Sequence, residues 1–172
     1  NFFNTHPLLK STFATKYPTK FKTYNLDPEK NRIRVSLMPQ VYSSVLEPNT
    51  DSIEDRIKMI PELQKQLEVH INFSPIVFHD NWIEEYEKLF QAVSHLNFKS
   101  ECIFLTYSNI QAGRNSDEVN AICNKPEIQE EKKPKYGGTA IRYKWQLKDE
   151  MIEQFKHSYS KYIDPQTIRY IF

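Results

Sequence analysis

The chain switches repeatedly between two hydrophobic periods, and that switching constrains its fold more than any other feature. In "RIRVSLM", Ile33, Val35 and Leu37 alternate with Arg32, Arg34 and Ser36. Such alternation sends side chains to opposite faces of an extended strand. In "DSIEDRIKMIPELQKQL", Ile53, Ile57, Ile60, Leu63 and Leu67 recur every three or four positions, the stripe of an amphipathic helix. The pattern then returns to a period of two in "EVHINFS" and to the helical period from Trp82 to Ser94, where Trp82, Tyr86, Leu89, Phe90 and Val93 share a side.

Extended over the chain, these periods predict strands at Ser11–Tyr17, Arg32–Met38, Glu68–Ser74 and Cys102–Tyr107, and a last one in "TIRYIF". The run from Cys102 is nearly all apolar, as expected of a strand covered on both faces. Helices are predicted at Ile53–Leu67, Trp82–Ser94, Ser116–Cys123 and Leu147–Tyr162, and residues 124–138 read as a polar loop or arm. Asp51 or Ser52 is the expected cap of the first helix, and Asp80 or Asn81 of the second. Pro61 is expected to kink or break its helix, because it lacks an N–H and its ring crowds the preceding turn.

Strands that alternate with helices form parallel sheets joined by crossover helices. A complete eight-unit barrel takes about 250 residues, so 172 residues suit an incomplete β/α barrel of the α/β class, as a single domain or fragment. The chain opens almost directly into a strand, and a missing part is expected on that side.

Composition removes several function classes. The net charge is +1, so nucleic-acid affinity needs a local patch and not a global field. No run reaches the roughly 20 apolar residues of a membrane helix, and an intracellular protein is expected. Glycine occurs three times, with Gly137 and Gly138 adjacent, which leaves no glycine-rich phosphate loop. Cys102 and Cys123 lack the spacing of a zinc or iron–sulfur site.

Six segments, "FATKY", "IRVSLMPQ", "SSVLEPNTDSIEDRI", "HINFSPIVFHDNWIEEYEKLF", "CIFLTYSN" and "KYGGTAIRYKWQLKDEMIEQF", followed by "IRYIF", occur in this order. Together they resemble the C-terminal part of the spore photoproduct lyase family, from about residue 10 to 172. The resemblance implies a partial β/α barrel of the radical S-adenosylmethionine class, the cofactor S-adenosylmethionine and a 4Fe–4S cluster. It also implies repair of a methylene-bridged thymine dimer in DNA. The family's cluster ligands sit in a Cys-x-x-x-Cys-x-x-Cys loop of the N-terminal half, which these residues do not contain. A second chain or an upstream segment would therefore have to complete the barrel. The alternative is a degenerate, inactive member that serves as a structural or binding subunit.

Three positions carry over by motif as cofactor-binding residues: Lys16 in "FATKY", Ser36 in "RVSLM" and Ser74 in "NFSPI". Each is expected at or near a strand end, where barrel chemistry collects, and an ammonium with a hydroxyl suits a carboxylate. The bland readings are a solvated lysine and a polar filler in a narrow barrel. Lys133, Lys135, Tyr136 and Arg142 in "KKPKYGGTAIRYKW" are candidates for contact with DNA, since cations meet phosphates and aromatics stack on exposed bases. Against this stands a solvated basic loop followed by a strand with core aromatics. "FHDNW" raises a metal site or a His79–Asp80 dyad, but no third ligand and no nucleophile motif accompanies it. The leading reading there is a helix cap followed by Trp82 as an anchor, with His79 on the rim.

Overall fold

The computed structural model describes residues 2–21, 26–132 and 140–172. The first half contains α1 (Phe2–Thr5), β1 (Ser11–Thr15), β2 (Asn31–Ser36), α2 (Gln40–Leu46), α3 (Ile53–Gln64), β3 (Glu68–Ile76) and α4 (Trp82–Val93). The second half contains β4 (Lys99–Phe104), α5 (Asn109–Ala112), α6 (Asp117–Cys123), β5 (Gln129–Lys132), β6 (Ala140–Tyr143), α7 (Trp145–Ser160) and β7 (Ile168–Ile171).

Five strands form one parallel sheet in the order β1-β2-β3-β4-β7. Spatial order follows chain order. Right-handed crossovers that always step the same way put every connecting helix on one face. The outer face fits this: Ile33 and Val35 of β2, Val69, Ile71 and Phe73 of β3, and Cys102 and Phe104 of β4 are all buried in the core with residues of α3, α4 and α7. An aromatic cluster fastens the layers. Phe90 of α4 meets Phe155 and Tyr159 of α7 at centroid distances of 5.1 and 5.2 Å, and Phe73 of β3 at 5.5 Å. The result is an incomplete β/α barrel with helices outside and an inner sheet face.

Several local expectations are corrected. α3 runs unbroken through Pro61, because burial of Ile60 and Leu63 on either side outweighs one lost backbone bond. β4 starts at Lys99 and ends at Phe104, earlier than the apolar run suggests. Its polar members Ser100 and Glu101 are buried too, Ser100 against Tyr159 of α7 and Glu101 on the inner face against Tyr170, so the strand is covered on both faces as expected. Part of the polar 124–138 segment is a strand, since β5 pairs antiparallel with β6 and Glu130 faces Arg142 across the ladder. Ser52 caps α3 by accepting from the Asp55 N–H. Asn81 precedes α4 as expected, but in the left-handed conformation with φ 55° and no side-chain cap bond. Among the described residues no helix is long and apolar enough to cross a membrane.

Candidate functional site at the strand ends and inner sheet face

Lys16 follows β1, Ser36 closes β2 and Ser74 lies near the end of β3, so the three candidates sit at the C-terminal ends of consecutive strands. A buried ion network underlies two of them. Arg56 of α3 is fully buried, and its Nη1 donates to the Ser36 carbonyl at 2.9 Å and to Glu47 Oε2 at 2.8 Å. Its Nε donates to the Asp51 carbonyl at 2.9 Å, and its Nη2 to Thr50 Oγ1 at 2.5 Å. Glu47 turns its other oxygen to Lys16, whose Nζ lies 2.6 Å away. One carboxylate thus faces two cations. Lys16 is the more exposed of the two cations, with 41% of its side chain accessible.

Ser36 is buried and Ser74 half-buried, with a cis peptide between Ser74 and Pro75. His79 is half-buried on the same rim and packs edge-on against Tyr42, 6.3 Å between centroids. Burial, helped by Glu85, Asp80 and Glu84, pushes the Tyr42 hydroxyl up to about 12. Among the described residues no group of three or more His, Cys, Asp or Glu side chains could hold a metal.

Below the rim, the inner face carries a charged layer that the sequence does not announce. Arg32 donates to Glu68 at 2.8 Å, and His70 bridges Glu68 at 2.9 Å and Glu101 at 3.3 Å. Glu101 also receives Arg34 at 3.3 Å, Arg169 at 2.9 Å and the Tyr170 hydroxyl at 2.6 Å. Burial works against the Glu101 charge, but bonds from Tyr170, His70 and Arg34 outweigh it and hold the carboxyl below the usual range. Glu68 is lowered in the same way, its burial offset by Arg32 and His70. Two buried polar atoms of this face, Arg34 Nε and Asn72 Oδ1, have no hydrogen-bond partner. Asn72 pairs in register with Ser36 on one side and Glu101 on the other. It is a further candidate that sequence reasoning missed; its only signal was its spacing of two from Ser74 on a predicted strand.

The β5–β6 hairpin is rooted at the end of β4. Tyr107 N–H donates to Gln129 Oε1 at 2.8 Å, and the Tyr143 hydroxyl donates to the Leu105 carbonyl. A cavity of about 290 Å³ lies between the hairpin and the ends of β4 and β7, lined by Ile103, Thr106, Ile141, Arg142, Lys148 and Phe172. Arg142 is paired with Glu130 at 2.8 Å. Lys133, Lys135 and Tyr136 lie outside the described residues. Tyr143 is buried as core, whereas Trp145 is exposed. A larger cavity of about 790 Å³, among Val41, Ile53, Ile57 and Leu89, touches none of the candidate residues.

The two thiols do not suit an iron–sulfur cluster. Both are buried and free, and burial pushes Cys102 up to about 12 and Cys123 to about 11, whereas ligation needs the thiolate.

Comparison with known proteins gives one consistent answer. A family described as spore photoproduct lyase matches residues 1–171. No curated protein sequence matches. Among solved structures, a double mutant of spore photoproduct lyase with bound AdoMet and dinucleoside spore photoproduct superposes with a TM-score of 0.82 at 17% identity. Spore photoproduct lyase complexed with dinucleoside spore photoproduct gives 0.80 at 15%, and a tyrosine-to-phenylalanine mutant 0.79 at 16%. In each case 99% of this chain is covered but only 54% of the other, so the chain spans about half the length of the structures that it matches. At such identities the likeness concerns the fold.

Proposed function

Because the chain belongs to the spore photoproduct lyase family, we propose that it is the C-terminal part of a radical S-adenosylmethionine protein that repairs thymine photoproducts in DNA. A cluster-bearing upstream segment or partner chain completes it. The observation that carries this reading is the Lys16–Glu47–Arg56 cluster at the end of β1, where one carboxylate holds a buried guanidinium and a part-exposed ammonium. An exposed ammonium held in fixed position suits the carboxylate of S-adenosylmethionine, and the unpaired Asn72 Oδ1 offers an acceptor nearby. Lys16, Ser36 and Ser74 would hold the cofactor. When bound beside its cluster, that group supplies carbon-radical chemistry. The residues of this chain bind and orient, and none of them fits the cluster.

DNA meets the protein on the same rim in this reading, along the hairpin, with Lys133, Lys135 and Tyr136 between its strands in sequence and Arg142 on β6.

The test is anaerobic purification of the native protein with whatever accompanies it, followed by iron and sulfide analysis and titration with S-adenosylmethionine. The expected result is a cluster in the assembly and binding that falls at least roughly tenfold in Lys16→Ala, the loss of one charge-assisted contact. An assembly without iron, sulfide or a cysteine-rich partner overturns the enzymatic reading in favour of an inactive binding subunit. Replacing Lys133, Lys135 and Arg142 together by Ala should lower DNA affinity and reduce its salt slope by about one per lost phosphate contact. Unchanged binding removes the hairpin from the DNA interface.

A further inference from the structure

Lys16 is the first residue beyond β1, whose ladder with β2 ends at the pair Thr15 and Val35. A lysine placed there has a long flexible stem and no strand pairing of its own to fix its backbone. Asp51, just before α3, supplies the missing anchor. Its backbone N–H donates to the Lys16 carbonyl at 3.2 Å. Its side chain reaches further along the same segment, where Oδ2 accepts from the Thr19 N–H at 2.9 Å and from the Thr19 hydroxyl at 2.7 Å. Its own carbonyl accepts from Arg56 Nε at 2.9 Å. Both backbone groups of Asp51 and one of its carboxylate oxygens are thus engaged at this junction.

Lys16 is thereby tied to one buried guanidinium by two routes. Its ammonium is tied through Glu47, which lies 2.6 Å from Lys16 Nζ and 2.8 Å from Arg56 Nη1. Its backbone is tied through Asp51. Arg56 is fully buried and also bonded to the Ser36 carbonyl, so both routes end on a group fixed between α3 and β2. The Glu47 route acts on the charged end of the side chain, whereas the Asp51 route decides where its stem begins. A flexible side chain binds a ligand charge more weakly when its own freedom has not been restricted beforehand. We propose that Asp51 is a positioning residue for Lys16: by holding Lys16 and Thr19 against the start of α3, it fixes the ammonium where a ligand carboxylate is bound. This rests on the cofactor reading above and adds to it a residue on which selectivity for that carboxylate depends. The competing account is that Asp51 only fastens the segment, with no bearing on what Lys16 binds.

The experiment is calorimetric titration of the native assembly with S-adenosylhomocysteine and with its decarboxylated counterpart, the aminopropyl thioether of adenosine. The ratio of the two affinities reads the carboxylate contact. It is expected to be roughly tenfold or more in the unaltered protein, the value of one charge-assisted contact, and to collapse in Lys16→Ala. Asp51→Ala should lower the ratio roughly 3- to 10-fold, the value of one hydrogen bond. Thr19→Val should lower it by less, because the bond from the Thr19 N–H is kept. Asp51→Asn keeps an acceptor for Thr19 and should restore the ratio to that of the unaltered protein. An unchanged ratio in Asp51→Ala, whether the two affinities hold or fall together, overturns the positioning role, while a collapse in Lys16→Ala leaves the cofactor reading intact. A ratio that Lys16→Ala does not change overturns the cofactor reading and the positioning role together. Thr19 is exposed, so Thr19→Val decides the matter if Asp51→Ala does not fold: an unchanged ratio there, beside a collapse in Lys16→Ala, overturns the positioning role.

Discussion

Arg56 and Ser36 are 20 residues apart in the chain, yet a guanidinium nitrogen of the first donates to the carbonyl of the second at 2.9 Å. The bond fastens α3 to the last residue of β2. Through Glu47 the same guanidinium is linked to Lys16. The ends of two strands and the start of a helix are therefore held by one buried cation.

Removing that cation should be costly. Arg56→Met leaves Glu47 buried with only Lys16 for company and is expected to destabilise by about 3–5 kcal/mol. Arg56→Met combined with Glu47→Gln should recover part of the loss, because no charge is then stranded. Urea unfolding of the unaltered protein, Arg56→Met, Glu47→Gln and the double variant checks this; a double variant as weak as the sum of the singles would mean that the two residues act independently.

Acid should unfold the protein through the inner layer. Glu101 and Glu68 are held below their ordinary value of 4.5 in the folded state. A lowered carboxylate contributes stability that is present above the unfolded value and lost as pH falls through the folded one. Stability should thus decline below about pH 4.5. Glu101→Gln should lose about 3 kcal/mol at neutral pH and flatten the acid decline. Thermal unfolding between pH 2 and 7 measures both effects.

The left-handed conformation of Asn81 makes a backbone prediction. Asn81→Gly should be close to neutral, whereas Asn81→Val should cost about 1–2 kcal/mol, the price of a branched side chain at positive φ. An ordinary side-chain cap would give a different order, with glycine the loser by a few tenths relative to Asn and no special strain for valine beyond loss of the cap. Denaturant midpoints for the two variants distinguish these cases.

Cys102 and Cys123 should resist alkylation. Both thiols are buried, and burial pushes them to about 12 and about 11, far from the thiolate form that reacts. Iodoacetamide at pH 8, followed by intact-mass analysis, should modify neither cysteine until denaturant is added. Rapid labelling of Cys102 in the folded protein would contradict its place between the sheet and the helices.

Much of the outer architecture is legible in the sequence. Ile33 and Val35, or Val69, Ile71 and Phe73, announce a strand face by alternation, and Trp82, Tyr86, Leu89 and Phe90 announce a helix stripe, because burial there follows hydropathy. The inner layer is not legible for the opposite reason. Arg34, His70 and Glu101 look like solvent-facing partners of those alternations, and His70 and Glu101 become buried, and Arg34 partly so, only by pairing across 31 and 67 positions of sequence. Arg56 and Glu47 are hidden alike: nothing local marks a charged helix residue as fully enclosed. Lys16, Ser36 and Ser74 came from motif resemblance, whereas Asn72 emerged from an unpaired atom, which no linear pattern records.

The sheet whose helices all lie on one side has a further consequence for how this segment behaves before it meets anything else. Its inner surface is lined by paired arginine, histidine and glutamate and not by an apolar stripe, so two such surfaces have little reason to adhere. The adhesive feature is elsewhere: among the described residues β1 is paired only with β2, and Phe13 on it is 37% exposed. An open backbone edge invites a strand. In the assembly proposed above, that edge is where the backbone of a completing segment could add a strand.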